Sequence, residues 1–483
     1  MGKSGVFAFI LCFGAAAAAQ GQTPGAANCT DLMAWMTGGI SGPRVAQLVA
    51  QRGIVFKNAQ ANRTLLLATG ATPQLLQILR NAPARGAENC PKALADISRD
   101  LKNQQYADAG RRLRRLIAVN GTSAALHFAL GYVYQRQEDW AGAFDEYDLA
   151  RQLDPGLPEG HSRLAYLYSR AGDGGSAIAE ARTALSLDPQ NAEAYRFLGL
   201  GLFASNEPQA ALHAFQEALA RDPGSADTYY DMGIALRSGG QPDAAAASYR
   251  KAITLRPRFW QAHNNLGLIL HEQKDFAGAL AEYKEALRLA PNATEVRNNL
   301  GNVYCDKGDY DAAVAEFREL FRSNPDWQTG HSCLAKALMA KRDYAGAIAE
   351  LRLALRQDPN NSAEHRVLGQ ALLLTHQARE ALRELRLAVA LQPDSSLAHH
   401  YLATALFDIR DFAGAEAEFR VTIGLQPTAE NHYYLAGCLM SMGRYNQALA
   451  ELEIAAQLEP SRELYRARKD ELMKVMRATA ESQ

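Results

Sequence analysis

No charge of either sign dominates this chain. Its 483 residues carry 51 lysines and arginines against 52 aspartates and glutamates, for a formal net charge of −1. That balance offers no general attraction to nucleic acid or to an anionic lipid surface, so neither is an expected partner. Catalytic signatures are missing too. No G-x-S-x-G, H-E-x-x-H, C-x-x-C or G-x-x-x-x-G-K-[ST] pattern occurs, which removes the common routes to an activated nucleophile, a metal-bound water or a cradled phosphate. Aromatics make up only 8% of the residues, and alanine and leucine dominate, a composition that favours an all-helical protein. At this length a single compact core is excluded, leaving several domains or a repeat array.

Long apolar runs are scarce. The first twenty residues, "MGKSGVFAFILCFGAAAAAQ", hold one lysine and then 14 apolar or small residues from Val6 to Ala19. Such a run is short for a bilayer span, and its alanine-rich end has the character of a cleavage site, so residues 1–19 are expected to be a signal peptide. No integral membrane segment is expected after its removal, and the mature chain is expected to be exported, either periplasmic or secreted. Export permits disulfides. Cys29 and Cys90 bracket one segment as a staple would and are a disulfide candidate, while Cys305, Cys333 and Cys438 remain.

Prolines reveal the organisation. Pro155, Pro189, Pro223, Pro257, Pro291, Pro325, Pro359, Pro393 and Pro427 lie 34 residues apart, and Pro460 follows after 33. With each proline as position 32, ten units span 124–460, with starts at 124, 158, 192, 226, 260, 294, 328, 362, 396 and 429. Position 20 is alanine in all ten, position 8 is always small, and position 24 is large and apolar in nine. Apolar residues at positions 4, 7, 8 and 11 mark one helix face, and those at 20, 24 and 27 mark another. Small residues at 8 and 20 let the two helices approach closely, and proline at 32 ends the second. A single hairpin of this kind cannot bury its apolar face, so the units must stack.

The pattern resembles the tetratricopeptide repeat (TPR) family, whose W-x2-L-G-x2-Y, A-x3-F and P signature appears here as "HFALGYVY…AFDEY…P" and "HNNLGLIL…ALAEY…P". The resemblance implies an all-α fold, an α-solenoid forming a right-handed superhelix of helix-turn-helix repeats, preceded by a small helical N-terminal module. The module is expected at 29–81, between linkers at 20–28 and 82–90. Residues 91–123 read as a degenerate unit, and 461–483 as a polar capping helix and tail.

Seven of the eleven histidines, His127, His161, His263, His331, His365, His399 and His432, occupy position 4. Packed helices are about 8–10 Å apart, whereas metal ligands converge to about 2 Å from one ion. The ladder is therefore read as structural, and no metal and no cofactor are expected. The same kind of arithmetic separates Cys305 (position 12) from Cys333 (position 6 of the next unit). Six positions at about 1.5 Å each exceed the Cα separation of about 7 Å that a disulfide tolerates, so these two are expected to be packing residues.

Resemblance to the family also implies where a partner binds: an extended peptide along the concave face, held by positions 2, 5, 9, 12 and 13 of the first helices. Carried onto this chain, that gives Tyr132, Tyr166, Arg170, Arg196, Tyr230, Arg237, Asn264, His271, Asn298, Asn302, Arg366 and His400 as groove candidates, with Phe128, Lys336, Met339 and Gln370 at matching positions. Asn264 and Asn298 are equivalent residues one repeat apart, and each side-chain amide has the donors and acceptor to grip a peptide backbone; the alternative is that they are ordinary solvated residues. With Asn265 and Asn299, this stretch is similar in style to the repeat arm of O-linked N-acetylglucosamine transferases, but no catalytic domain follows. The expected function is a non-catalytic scaffold for a protein or peptide. The alternative is the recognition subunit of an envelope assembly, secretion or glycosylation complex. The sequence does not specify an oligomeric state.

Overall fold

A computed structural model describes residues 25–55, 60–81 and 90–481. The expected signal peptide, residues 20–24 and residues 82–89 lie outside the described residues. Among the described residues there are 27 helices and no strand, only an isolated parallel bridge between Ala27 and Ile54. The N-terminal helices are α1 (Cys29–Thr37), α2 (Gly42–Arg52), α3 (Gln60–Thr69) and α4 (Pro73–Asn81). One hairpin, α5 (Lys92–Lys102) with α6 (Tyr106–Val119), precedes the regular array.

The array consists of ten further hairpins. They are α7 (Ala124–Arg136) with α8 (Trp140–Leu153), α9 (Pro158–Arg170) with α10 (Gly174–Leu187), α11 (Ala192–Ala204) with α12 (Pro208–Arg221), α13 (Ala226–Ser238) with α14 (Pro242–Leu255), and α15 (Trp260–Glu272) with α16 (Phe276–Leu289). They continue as α17 (Thr294–Lys307) with α18 (Tyr310–Ser323), α19 (His331–Ala340) with α20 (Tyr344–Gln357), α21 (Ser362–Leu374) with α22 (Ala378–Leu391), α23 (Ser396–Asp408) with α24 (Phe412–Leu425), and α25 (Ala429–Ser441) with α26 (Tyr445–Leu458). A last helix, α27 (Glu463–Glu481), packs on α26. The chain forms two compact units, one ending at Ala262 and one beginning at His263.

Why each hairpin closes is visible in the repeat frame. Position 8 of the first helix faces the ring at position 24 of the second. A Cβ built on Gly131 would lie 2.8 Å from the Tyr147 ring, on Gly199 2.6 Å from Phe215, and on Gly233 2.6 Å from Tyr249. Those rings are fully buried. The second unit makes the complementary choice, with Ala165 at position 8 and Ala181 at position 24, both buried. Between the helices, position 15 takes positive φ in every unit. Gly172, Gly240, Gly308 and Gly443 do so as glycines, and Glu138, Asn206, Lys274, Arg342, His376 and Arg410 do so as other residues. The next residue often caps the second helix. Asp139, Asp173, Asp275, Asp343 and Asp411 each accept an N–H from three residues on, satisfying an orphan donor of the first turn.

The seventh unit departs from the frame. Its first helix begins at His331, not at Gln328, and has 10 residues instead of 13. Gly330 precedes it at φ +99°, a left-handed conformation that glycine adopts without a Cβ clash.

The N-terminal module is built into the first unit of the chain. Cys29 and Cys90 form a disulfide with Cα atoms 5.2 Å apart, closing a separation of 61 residues. In the chain-entropy picture a loop of that length contributes about 4 kcal/mol. Two residues assigned to linkers belong to the module instead. Ala27 is buried in the bridge to Ile54, and Cys90 is buried in the disulfide. Asn28 closes a capping box with Asp31 at the start of α1.

Substituting Gly199→Ala places a methyl group against the Phe215 ring. Because the ring is fully buried, the change is expected to cost about 1–3 kcal/mol, read as a lowered urea midpoint. Ala165→Gly, which removes a methyl group buried with Ala181 and Phe197, is expected to cost about 2 kcal/mol, from helix propensity and lost apolar burial together.

Candidate functional site

The histidines at position 4 share one environment. In all seven, Nδ1 lies 2.6 Å from a glutamate Oε2 at position 23 of the same hairpin: His127 with Glu146, His161 with Glu180, His263 with Glu282, His331 with Glu350, His365 with Glu384, His399 with Glu418, and His432 with Glu451. The far nitrogen, Nε2, lies 3.0–3.1 Å from the carbonyl oxygen of the preceding unit's proline in three cases: His161 to Pro155, His365 to Pro359 and His399 to Pro393. A carbonyl can only accept, so Nε2 carries a proton and donates it. The glutamates were not singled out from the sequence, yet the frame contains the signal. Where position 4 is Arg297, position 23 is again a glutamate, Glu316, and the two pair at 2.9 Å. Where position 4 is Tyr195 or Tyr229, position 23 is Ala214 or Ser248.

Many of the groove candidates are committed to contacts within the protein. Tyr132 is covered by the N-terminal module, because a Cβ on Gly39 would lie 2.8 Å from its ring. Its neighbour Phe128 is fully buried beneath Gly38. The module also reaches α9 and the turns after α8 and α10. Arg44 Nε pairs with Glu159 at 2.5 Å and its guanidinium with Asp188, while Arg52 contacts Asp154 and the Gly156 carbonyl. Burial pushes the Glu159 carboxyl above its ordinary range, and Arg44 opposes that shift.

Tyr166 packs at a tilt against Phe197 with centroids 5.3 Å apart, and Arg170 lies over the Trp140 ring at 4.2 Å. Arg196 Nε is 3.3 Å from Asp231 of the next unit, and its guanidinium lies over Phe197. Tyr230 packs between Tyr249 and Phe259. Arg237 is half-buried at the end of α13.

The asparagine pair is not arranged as two free grips. Asn264 is 8% exposed, and its Oδ1 accepts from Asn299 Nδ2 at 3.0 Å. Asn298 Oδ1 faces the Thr329 hydroxyl at 3.4 Å. A stagger of one residue between neighbouring first helices pairs position 5 with position 6, so the amides bond to each other across the units. His271 pairs with Asp306 at 3.0 Å, and His400 with Asn431 at 3.1 Å. Asn302 differs: its Oδ1 is buried without a hydrogen-bond partner.

Arg366 differs most. It makes no hydrogen bond and no ion pair among the described residues. It lines a cavity of about 640 Å³ between α19, α20 and α21. Met339, Tyr344, Leu351, Val367 and Leu374 supply apolar wall, and Lys336, Asn361, Glu364 and Gln370 supply polar groups. Glu364 has one carboxylate oxygen on the Ser332 hydroxyl, and its other oxygen, Oε2, is buried without a partner. The cavity thus holds an unmatched donor and an unmatched acceptor in apolar surroundings, the arrangement that fixes a ligand's orientation. Ser332 falls at groove position 5 of its unit, whereas Tyr344, Leu351 and Glu364 lie at positions 17, 24 and 3, outside the expected groove positions.

Two family models, both described as tetratricopeptide repeat, match residues 97–158, 162–226, 230–294 and 366–430, and residues 270–337. The first alone covers more than half of the chain. The chain belongs to the tetratricopeptide repeat family. TPR proteins generally mediate protein–protein interactions, and their all-helical repeat fold is typically a non-catalytic scaffold. No curated protein matches the chain. Among solved structures, PilF of Pseudomonas aeruginosa is 25% identical, spans 45% of this chain and 98% of its own, and gives a TM-score of 0.40. YrrB, described as a TPR protein with an unusual peptide-binding site, is 22% identical over 41% of this chain and 97% of its own, with a TM-score of 0.32. Yeast Tom70 is 16% identical over 81% of this chain and 96% of its own, also at 0.32. Among the described residues no helix is long and apolar enough to cross a membrane.

The Arg196–Asp231 pair generates a pH prediction. Burial pushes the Asp231 carboxyl up to about 6 from an ordinary 3.8, Arg196 pulls it down, and Asp227 pushes it up. Between those two values the folded chain binds a proton more readily than the unfolded chain, so this group's contribution favours folding as pH falls from about 6 to about 4. Asp231→Asn removes that contribution. Relative to the parent, the variant should lose roughly 2–3 kcal/mol of acid-side stabilisation between neutral pH and pH ~4, measured by urea titration at each pH. Parallel pH profiles would show that Asp231 titrates normally.

Proposed function

We propose that this TPR chain is a non-catalytic scaffold whose cavity between α19, α20 and α21 holds an extended peptide segment of a protein partner. One observation carries the reading: Arg366 and Glu364 Oε2, a donor and an acceptor without partners, share an apolar cavity of about 640 Å³. An extended peptide presents carbonyl oxygens and N–H groups alternately along its length, so a carbonyl meets Arg366 and an N–H meets Glu364. Met339, Val367 and Leu374 then accept an apolar side chain of the ligand, and Gln370 and Asn361 offer further donors and acceptors. Lys336 is paired with Asp306 at 3.4 Å, so Arg366 and Glu364 are left as the balanced charges that face the ligand.

Export is part of this proposal. It is supported by the apolar leader and by the Cys29–Cys90 disulfide, which belongs in an oxidising compartment.

The test places a photo-crosslinking residue at Gln370, with the exposed Arg386 on α22 as control. The partner peptide identified at Gln370 and not at Arg386 is then titrated by fluorescence anisotropy. Arg366→Ala removes a charge-assisted hydrogen bond worth about 1.5–3 kcal/mol, so affinity should fall about tenfold to a hundredfold while the melting temperature stays the same. Equal crosslinking at both positions, or undiminished affinity in the variant, would remove the cavity from the binding surface.

A further inference from the structure

Cys305 and Cys333, expected to be packing residues, are both free thiols and pack in one apolar cluster between the sixth and seventh repeats. Cys305 lies near the end of α17 and Cys333 in the first turn of α19. Cys305 Sγ donates to the Cys333 carbonyl oxygen at 3.2 Å. Helix α19 starts three residues late in its unit, after Gly330 in the left-handed region. Both cysteines are reduced. Cys305 is 1% exposed, whereas Cys333 is half-buried. Lys336, one turn beyond Cys333, lines the cavity described above.

We propose that Cys305 and Cys333 are a thiol–disulfide exchange site, a second and reversible cross-link that joins the sixth and seventh repeats beside the cavity. The division of labour follows from burial. Cys333, the accessible sulfur, meets a small disulfide such as oxidised glutathione. Its thiolate attacks one glutathione sulfur and the glutathione S–S bond breaks. A mixed disulfide forms on Cys333, and one glutathione leaves as thiolate and takes up the Cys333 proton. Cys305 then attacks the Cys333 sulfur, the Cys333–glutathione bond breaks, and the second glutathione leaves with the Cys305 proton. Two thiols are oxidised, one disulfide is reduced to two thiols, and no other reactant is needed.

Hydrogen bonding from Cys333 and the nearby Lys336 charge hold the Cys305 thiol below its ordinary range, which suits it to the resolving attack. The Cys333 thiol is pushed up by its pairing with Cys305 and by burial, so its thiolate is scarce and its attack on glutathione is the slow step. Cys438 is buried, pushed up to about 12 by desolvation, and serves as an internal control.

The full chain, with Cys29–Cys90 intact, is incubated with oxidised glutathione, alkylated and examined by intact-mass and peptide mapping. The expected result is the loss of two alkylatable thiols, a Cys305–Cys333 linked peptide and an unmodified Cys438. Cys305→Ser, which lacks the resolving sulfur, should retain one glutathione on Cys333, whereas Cys333→Ser should retain none. Restoring reduced glutathione should return both thiols. If both residues remain fully alkylatable, or if Cys305→Ser takes up no glutathione, the assignment is overturned. Neither outcome bears on peptide binding, which is read separately through Arg366.

Discussion

In seven of the ten repeats, one imidazole joins the two helices of its hairpin, and in several it also reaches the preceding unit. Its Nδ1 meets the glutamate at position 23 on the second helix. In His161, His365 and His399 its Nε2 also donates to the carbonyl of the proline that closed the previous unit. The first contact sets the register of a hairpin, and the second sets the hairpin against its predecessor. An unmet buried donor or acceptor costs about 1–3 kcal/mol, so a slipped helix would leave several such groups without partners. The ring-on-glycine contact between positions 8 and 24 acts at the next turn and excludes any other spacing between the two helices. Together they make each unit a rigid block, and a binding surface assembled from such blocks is preorganised.

Rigidity also explains where a partner finds room. A side chain at positions 5, 9 or 12 of a first helix has two choices: the neighbouring unit or a ligand. In most units the neighbour takes it, as Arg196 meets Asp231, Asn264 meets Asn299, His271 meets Asp306 and His400 meets Asn431. At the N-terminal end the disulfide-closed module covers Tyr132 and Phe128 instead. The irregular seventh unit breaks this pattern. Its shortened first helix leaves the space lined by Arg366, Glu364 and Lys336, and Cys333 in that helix packs in one cluster with Cys305.

Much of the fold could be read from periodicity alone. Prolines 34 residues apart, alanine at position 20 and small residues at position 8 specify close-packed hairpins, and the helices follow that frame except at His331. The reading of the histidine ladder as structural rested on spacing, and its glutamate partners were legible too: Ala214 and Ser248 replace glutamate where Tyr195 and Tyr229 replace histidine. The individual groove residues were not legible. Position in a repeat tells which way a side chain points, but not whether an adjacent unit supplies an aspartate or an amide to meet it. Nor does a repeat frame foresee a left-handed Gly330 that delays one helix, or a separate module whose Gly38 and Gly39 admit two aromatic rings.

The clamp between positions 4 and 23 is tested most directly by a double-mutant cycle at His365 and Glu384, which measures their coupling free of each residue's separate packing. Urea unfolding of His365→Ala, Glu384→Ala and the double variant should give a coupling of about 1–3 kcal/mol, because the second substitution costs little once the first has removed its partner. Additive losses, with no coupling beyond measurement error, would contradict the account and leave the hairpins held by apolar packing alone.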